Sequence, residues 1–146
     1  MNNTNENPIV YGVAPLVGRI LLGVLFLMAG IGKISGWEGT AGYMASVGMP
    51  FVPLFLFGAI VLEVGGGLSL LLGLKARLGG LLLAMFLVPT TLIFHAFWNL
   101  EGQERYMQML MFNKNLAIIG GLLYVAVFGA GKFSLDNLVC PLRKKK

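Results

Sequence analysis

Charge is what this chain has least of. Only 12% of its 146 residues are Asp, Glu, Lys or Arg, while 57% are hydrophobic. A water-soluble domain carries about 25% charged residues, so there is too little polar material here to cover a surface facing water. The apolar runs also lack the polar face of a soluble four-helix bundle, which excludes that architecture. Cysteine is nearly absent: Cys140 stands alone, which excludes an internal disulfide and a CxxC relay. It precedes Pro141 and a basic tail, where it is a bystander thiol or an acceptor for palmitate. Histidine is limited to His95, so the two axial ligands of a bis-His haem cannot come from this chain. No nucleophile–base pair, metal cluster or nucleotide loop is present, and with them goes any complete catalytic constellation. The polar, Asn-rich start at Met1 to Asn7 has no basic n-region, so no cleavable leader is expected.

The net charge is +5, yet four of the eleven basic residues are the last four, Arg143 to Lys146. A basic face exists nowhere else, so nucleic acid is not the expected partner. The tail is instead a topology signal or a contact with anionic lipid headgroups.

What the chain does have is long apolar runs. Four are long enough to cross a bilayer, which takes about 20 residues as a helix. They fall at about 15–34, 51–73, 78–98 and 110–131, between a polar tail at 1–14 and a basic tail at 138–146. The fold class expected is all-α, an up-down bundle of four membrane spans over 15–137. A short helix lying on the membrane surface is expected between the first two spans, where Trp37 and Tyr43 are headgroup-level residues.

One residue interrupts the second run. Glu63 lies near its middle, followed by Gly65, Gly66 and Gly67. An acidic side chain at the bilayer centre costs roughly 2.5–3.5 kcal/mol on insertion scales and usually faces a bundle interior with a partner. Helical spacing puts it on a stripe with Leu56, Ala59, Gly66, Leu70 and Gly73. The first span has a stripe of Arg19, Gly23, Phe26, Gly30 and Lys33. The third has Ala84, Val88, Thr91, His95 and Trp98, with Pro89 expected to bend it. For the fourth, the expected stripe is Lys114, Ala117, Gly121, Tyr124 and Phe128, with Asn113 beside it. Small residues let helices approach closely, so these stripes should face one another.

The basic residues give an orientation. Arg19, Lys75, Arg77, Lys132 and the four tail charges lie on one side; Lys33, Arg105 and Lys114 lie on the other. Eight against three places both termini in the cytoplasm by the positive-inside rule. Lys33, His95, Asn113 and Lys114 then fall near the outer ends of their helices, with Glu63 deeper and Arg19 toward the inner side. These six residues are the candidate pocket. Five of them also have a plainer reading. Arg19, Lys33 and Lys114 serve as snorkelling anchors, His95 as an interfacial hydrogen-bonding group, and Glu63 as a protonated packing carboxyl or half of an ion pair with Arg19 or Lys33. Arg19 and Arg77 opening the odd spans, with paired glycines midway in the even ones, hint at an internal repeat.

Several pieces resemble the DoxX family of small four-span membrane proteins. They are Arg19 followed by ILLGVLFLMAGIGKI, which includes Lys33; Leu62 to Gly67 with its LLLGL exit; His95; and NKNLAIIGGLLYVAVFGAGKFSLD from Asn113 to Asp136. The last of these is the most specific. The resemblance implies a four-helix bundle in an inner, cytoplasmic-type membrane. It also implies a link to quinone-coupled oxidoreductases, one of which handles thiosulfate, and to oxidative-stress complexes. The expected function is a redox-linked subunit with an outward-facing polar pocket for a quinone or small anionic substrate. A membrane or redox partner protein is a further expectation, and a thiol-relay role would require one, because the chain has no cysteine pair. The alternatives are a non-enzymatic scaffold of a larger complex and a small proton-coupled transporter, which would have to form a homo-oligomer.

Overall fold

The computed structural model describes residues 9–139; the tails, with Cys140 and the basic run Arg143 to Lys146, lie outside the described residues. Every element described is helical. A π-helical turn, Ile9–Val13, leads into α1 (Ala14–Ser35). Then come α2 (Trp37–Ser46), α3 (Val52–Leu72), α4 (Ala76–Phe94), a 3-10 turn at Phe97–Asn99, α5 (Gly102–Phe128) and α6 (Leu135–Val139). Four helical stretches have the length and hydropathy of membrane spans: Ala14–Ser35, Val52–Leu72, Ala76–Asn99 and Gly102–Phe128. The short helix expected between the first two spans is α2.

Local chemistry sets the ends. Pro15 and Pro53 sit in the first turns of α1 and α3, where a missing N–H costs nothing. Gly73 ends α3 at φ +63°, with Gly73 N–H donating to Leu70 O and Leu74 N–H to Ser69 O. That left-handed cap suits glycine and leaves only Leu74 and Lys75 before α4. Pro89 lies inside α4, which remains helical through it. The hydroxyls of Thr90 and Thr91 donate to the carbonyls of Phe86 and Leu87, supplying local partners to the backbone around the proline.

Glycines govern how closely the spans meet. A methyl group added at Gly67 would lie 2.9 Å from the Leu27 nitrogen and 3.0 Å from the Gly23 oxygen; one at Gly23 would lie 2.8 Å from Leu71. Further along, Gly30 faces Val64, so α1 and α3 run antiparallel in near-backbone contact. Gly66 faces Leu83, and Gly80 faces the Leu122 carbonyl. Thus α3 also packs on α4, and α4 on α5. Phe26, Leu70, Leu83, Leu87, Leu122 and Val125 form the main core. Large apolar side chains such as Leu21, Met28, Phe57 and Val127 point outward, each more than 60% exposed. In water such a surface would aggregate; in a bilayer it is the solvated face.

The third span runs Ala76–Asn99, α4 ending at Phe94 and the 3-10 turn Phe97–Asn99 completing it. The fourth begins at Gly102, eight residues ahead of Leu110, taking in much of what reads as a polar loop. Its inward stripe is also rotated: Asn115, Leu122 and Val125 are buried, while Tyr124 and Phe128 are exposed. Lipid removes the polar–apolar contrast that marks an inward face in water, so the phase of this helix rests on packing instead.

Candidate functional site

The stripe of α1 carries two cations, and the fold sends them to opposite ends. Arg19 is buried in the end formed by the α3–α4 turn. Its Nη1 donates to Leu70 O and Leu71 O at 2.8 Å each, its Nε donates to Ala130 O at 3.1 Å, and its Nη2 donates to Phe133 O. The first two acceptors are last-turn carbonyls of α3, where helical donors run out; Leu70 O also accepts from the Gly73 cap N–H. Asp136 completes this end: its carboxylate accepts from Lys75 N–H at 2.7 Å and Ala76 N–H at 3.1 Å, capping α4. Arg19 and the GAGKFSLD segment therefore tie the chain's last described part to the α3–α4 turn. No contact joins Arg19 to Glu63.

Lys33 lies fourteen residues further on, at the other end of the stripe. Its Nζ reaches Glu63 Oε1 at 2.8 Å. The Glu63 side chain is 7% exposed and that of Lys33 27%. The second carboxylate oxygen, Oε2, is buried and has no hydrogen-bond partner.

Two cavities flank this pair. One of about 280 Å³ lies between α1 and α5, its apolar lining, which includes Phe26 and Ala29, interrupted by the polar groups of Lys33, Glu63, Lys114 and Asn115. The second, of about 450 Å³, is bounded by α2, α3 and α4 and is almost wholly apolar. Its wall includes Met44, Met49, Phe55, Phe86, Ile93 and Phe94, and its few polar groups include Lys33, Thr40 and His95. Tyr43 closes it with a hydroxyl bond to Phe94 O at 3.2 Å and a ring contact to Phe94. Lys33 belongs to both linings.

The remaining candidates divide. His95 caps α4, and its Nδ1 lies 2.8 Å from Gln108 Oε1. Donation to that oxygen is from the Nδ1–H tautomer, and in the neutral form of that tautomer Nε2 is an acceptor. Lys114 lines the smaller cavity, although its exposed ammonium also contacts Met111 Sδ at 3.5 Å. It sits about 18 Å along α5 at 1.5 Å per residue, not near the helix start. Asn113 is exposed and lines neither cavity. Its place is taken by Asn115, buried, whose Nδ2 donates to Thr91 Oγ1 at 3.0 Å. Gln108 and Asn115 are the residues that stripe reasoning missed. Asn115 became visible only with the true phase of α5, and Gln108 only once that stretch was known to be helical. Among the described residues, no three His, Cys, Asp or Glu side chains are grouped as metal ligands would be.

Comparison with known proteins bears on this arrangement. A sequence model described as DoxX matches residues 14–96, and one described as the SURF4 family matches 57–145. Inner membrane protein YqjF of Escherichia coli is 44% identical over 127 residues, covering 87% of this chain and 92% of that protein. Inner membrane protein YphA of the same organism is 35% identical, covering 84% and 87%. "Putative oxidoreductase CatD" of Bacillus subtilis is 27% identical, covering 92% of each. No solved structure matches the chain at the same stringency.

Proposed function

The chain belongs to the DoxX family of membrane proteins, and from that premise we propose that it is a redox-linked membrane subunit whose apolar cavity takes a quinone headgroup or a small compound with anionic oxygens. The observation that carries this reading is Lys33. It is the ammonium in a mostly apolar wall, and it is paired with a buried carboxylate. Ligand sites are typically apolar hollows of about 300–1,000 Å³ with a few well-placed polar groups, and the cavity beside His95 has that character. Aromatic side chains and methionines would hold a flat ring. Lys33 Nζ would donate to a carbonyl or anionic oxygen, and His95 Nε2 would accept from a hydroxyl. A bound quinone would supply two-electron carrier chemistry. Electrons would come from a partner protein, in keeping with the oxidoreductase name of one relative.

In this reading both termini face the cytoplasm, in an inner membrane like that of the Escherichia coli relatives, and the His95 end faces outward. The balance of basic residues supports that orientation.

Purification in native-lipid nanodiscs, followed by extraction and mass spectrometry, tests the proposal. The wild type should carry quinone above the level of the surrounding lipid, and Lys33→Met and His95→Ala should lose it. Equal quinone content in all three, or none above background in the wild type, would overturn the reading.

A further inference from the structure

We infer that the smaller cavity, between α1 and α5, is a water-filled proton entry, and that Glu63 Oε2 is its terminus. A buried carboxylate oxygen without a protein donor is unfavourable, so it is satisfied either by a proton or by water. A cavity of about 280 Å³ whose lining holds four polar side chains has room for several waters at about 30 Å³ each. Its lining supplies the polar partners such waters need. Lys33 comes from α1, and Lys114 and Asn115 come from α5; α4 contributes only Leu87. Lys114 is an exposed residue that also lines the cavity, which gives the path an opening. Lys33 and Glu63 line it as well, and Lys33 also lines the apolar cavity.

The step is a proton transfer alone. An excess proton carried by the cavity water as hydronium passes to Glu63 Oε2: one hydronium O–H bond breaks, leaving neutral water, a carboxyl O–H bond forms, and the carboxylate becomes neutral. The contact to Lys33 changes from an ion pair to a hydrogen bond with a neutral acid. The ammonium is then released to serve an anionic oxygen in the apolar cavity. Ligand binding there and protonation of Glu63 thus favour each other, so binding takes up one proton. The proton entry stands on this geometry; the coupling to a ligand rests on the reading proposed above.

Infrared spectroscopy of the full chain in nanodiscs tests the entry without any ligand. A protonated-carboxyl band assigned by its loss in Glu63→Gln should appear on acidification and shift at once in deuterium oxide. Asn115→Leu and Ile118→Phe, which fill the cavity, should leave the protein folded by circular dichroism and remove that rapid deuterium shift. An unchanged shift in both filled variants overturns the proton entry, as does a Glu63 band absent at every pH. Rapid exchange in a protein that carries no quinone would retain the entry and remove the quinone reading. Quinone carried by a protein with no exchangeable Glu63 would do the reverse.

Discussion

Lys33 and Glu63 join α1 to α3 through a 2.8 Å contact, and that contact occupies only one of the two carboxylate oxygens. An acidic residue at bilayer depth therefore has a cation from the neighbouring helix on one side and a partly polar cavity on the other. Removing the cation alone should cost more than removing the pair. Breaking one partner of a buried ion pair costs about 3–5 kcal/mol, whereas replacing both with apolar groups is often neutral. Lys33→Met should lower Tm in nanodiscs clearly, and Lys33→Met with Glu63→Leu should recover most of the loss. A double variant less stable than Lys33→Met would show that the pair is not the unit that matters.

The α1–α3 seam makes a paired prediction about glycines. Gly67→Ala drives a methyl group against backbone at 2.9 and 3.0 Å, whereas nothing lies within 4 Å of one added at Gly65. Overpacking of this kind typically costs about 1–3 kcal/mol. Gly67→Ala should be measurably destabilised and Gly65→Ala should not, in thermal or denaturant unfolding of the reconstituted protein. Equal stability of the two would contradict the near-backbone contact.

Arg19 is expected to be irreplaceable by lysine. Its planar fork reaches four carbonyls from two segments, and an ammonium has neither the spread nor the number of donors. Hydrogen bonds to charged groups contribute about 1.5–3 kcal/mol each, without simple additivity. Arg19→Lys should expose the 129–139 segment to faster hydrogen exchange. Asp136→Asn should do so more mildly, since losing a helix cap costs about 0.5–2 kcal/mol. Unaltered exchange in Arg19→Lys would mean the segment is held by something else.

Thr91 and Asn115 connect α4 to α5 by a 3.0 Å hydrogen bond. Interhelical hydrogen bonds in membranes average about 0.6 kcal/mol. Thr91→Val should cost roughly that little, because the hydroxyl also serves Leu87 within its own helix. A loss several times larger, measured by reversible unfolding in lipid, would instead indicate a role in ordering the smaller cavity.

How much of this was legible varies by helix. The stripe written for α1 is its buried face: Arg19, Gly23, Phe26 and Gly30 are the residues the structure buries there. The α3 stripe was similarly clear, with Leu56, Ala59, Glu63, Gly66 and Leu70 all buried. Charges and glycines mark the inward side even when every other residue is apolar. In α5 the pattern failed, because Tyr124 and Phe128 satisfy helical spacing but face outward at 62% and 65% exposure. An aromatic side chain is at home in lipid and in a core alike, so it carries no phase.

Composition and period alone determined that this chain crosses a membrane four times, which helices need close neighbours, and that Glu63 requires a partner. They put Arg19 and Lys33 on the same face of α1, and made Glu63 either the floor of a pocket below Lys33 or one half of a packed ion pair with Arg19. Only the tertiary structure decided between them. Antiparallel packing sets Gly30 beside Val64 and brings Lys33 level with Glu63, while Arg19 falls against the C-terminal carbonyls of α3. Helical spacing fixes direction around an axis, whereas the depth at which two charges meet depends on how one helix is offset along another. That offset is a property of the packed pair.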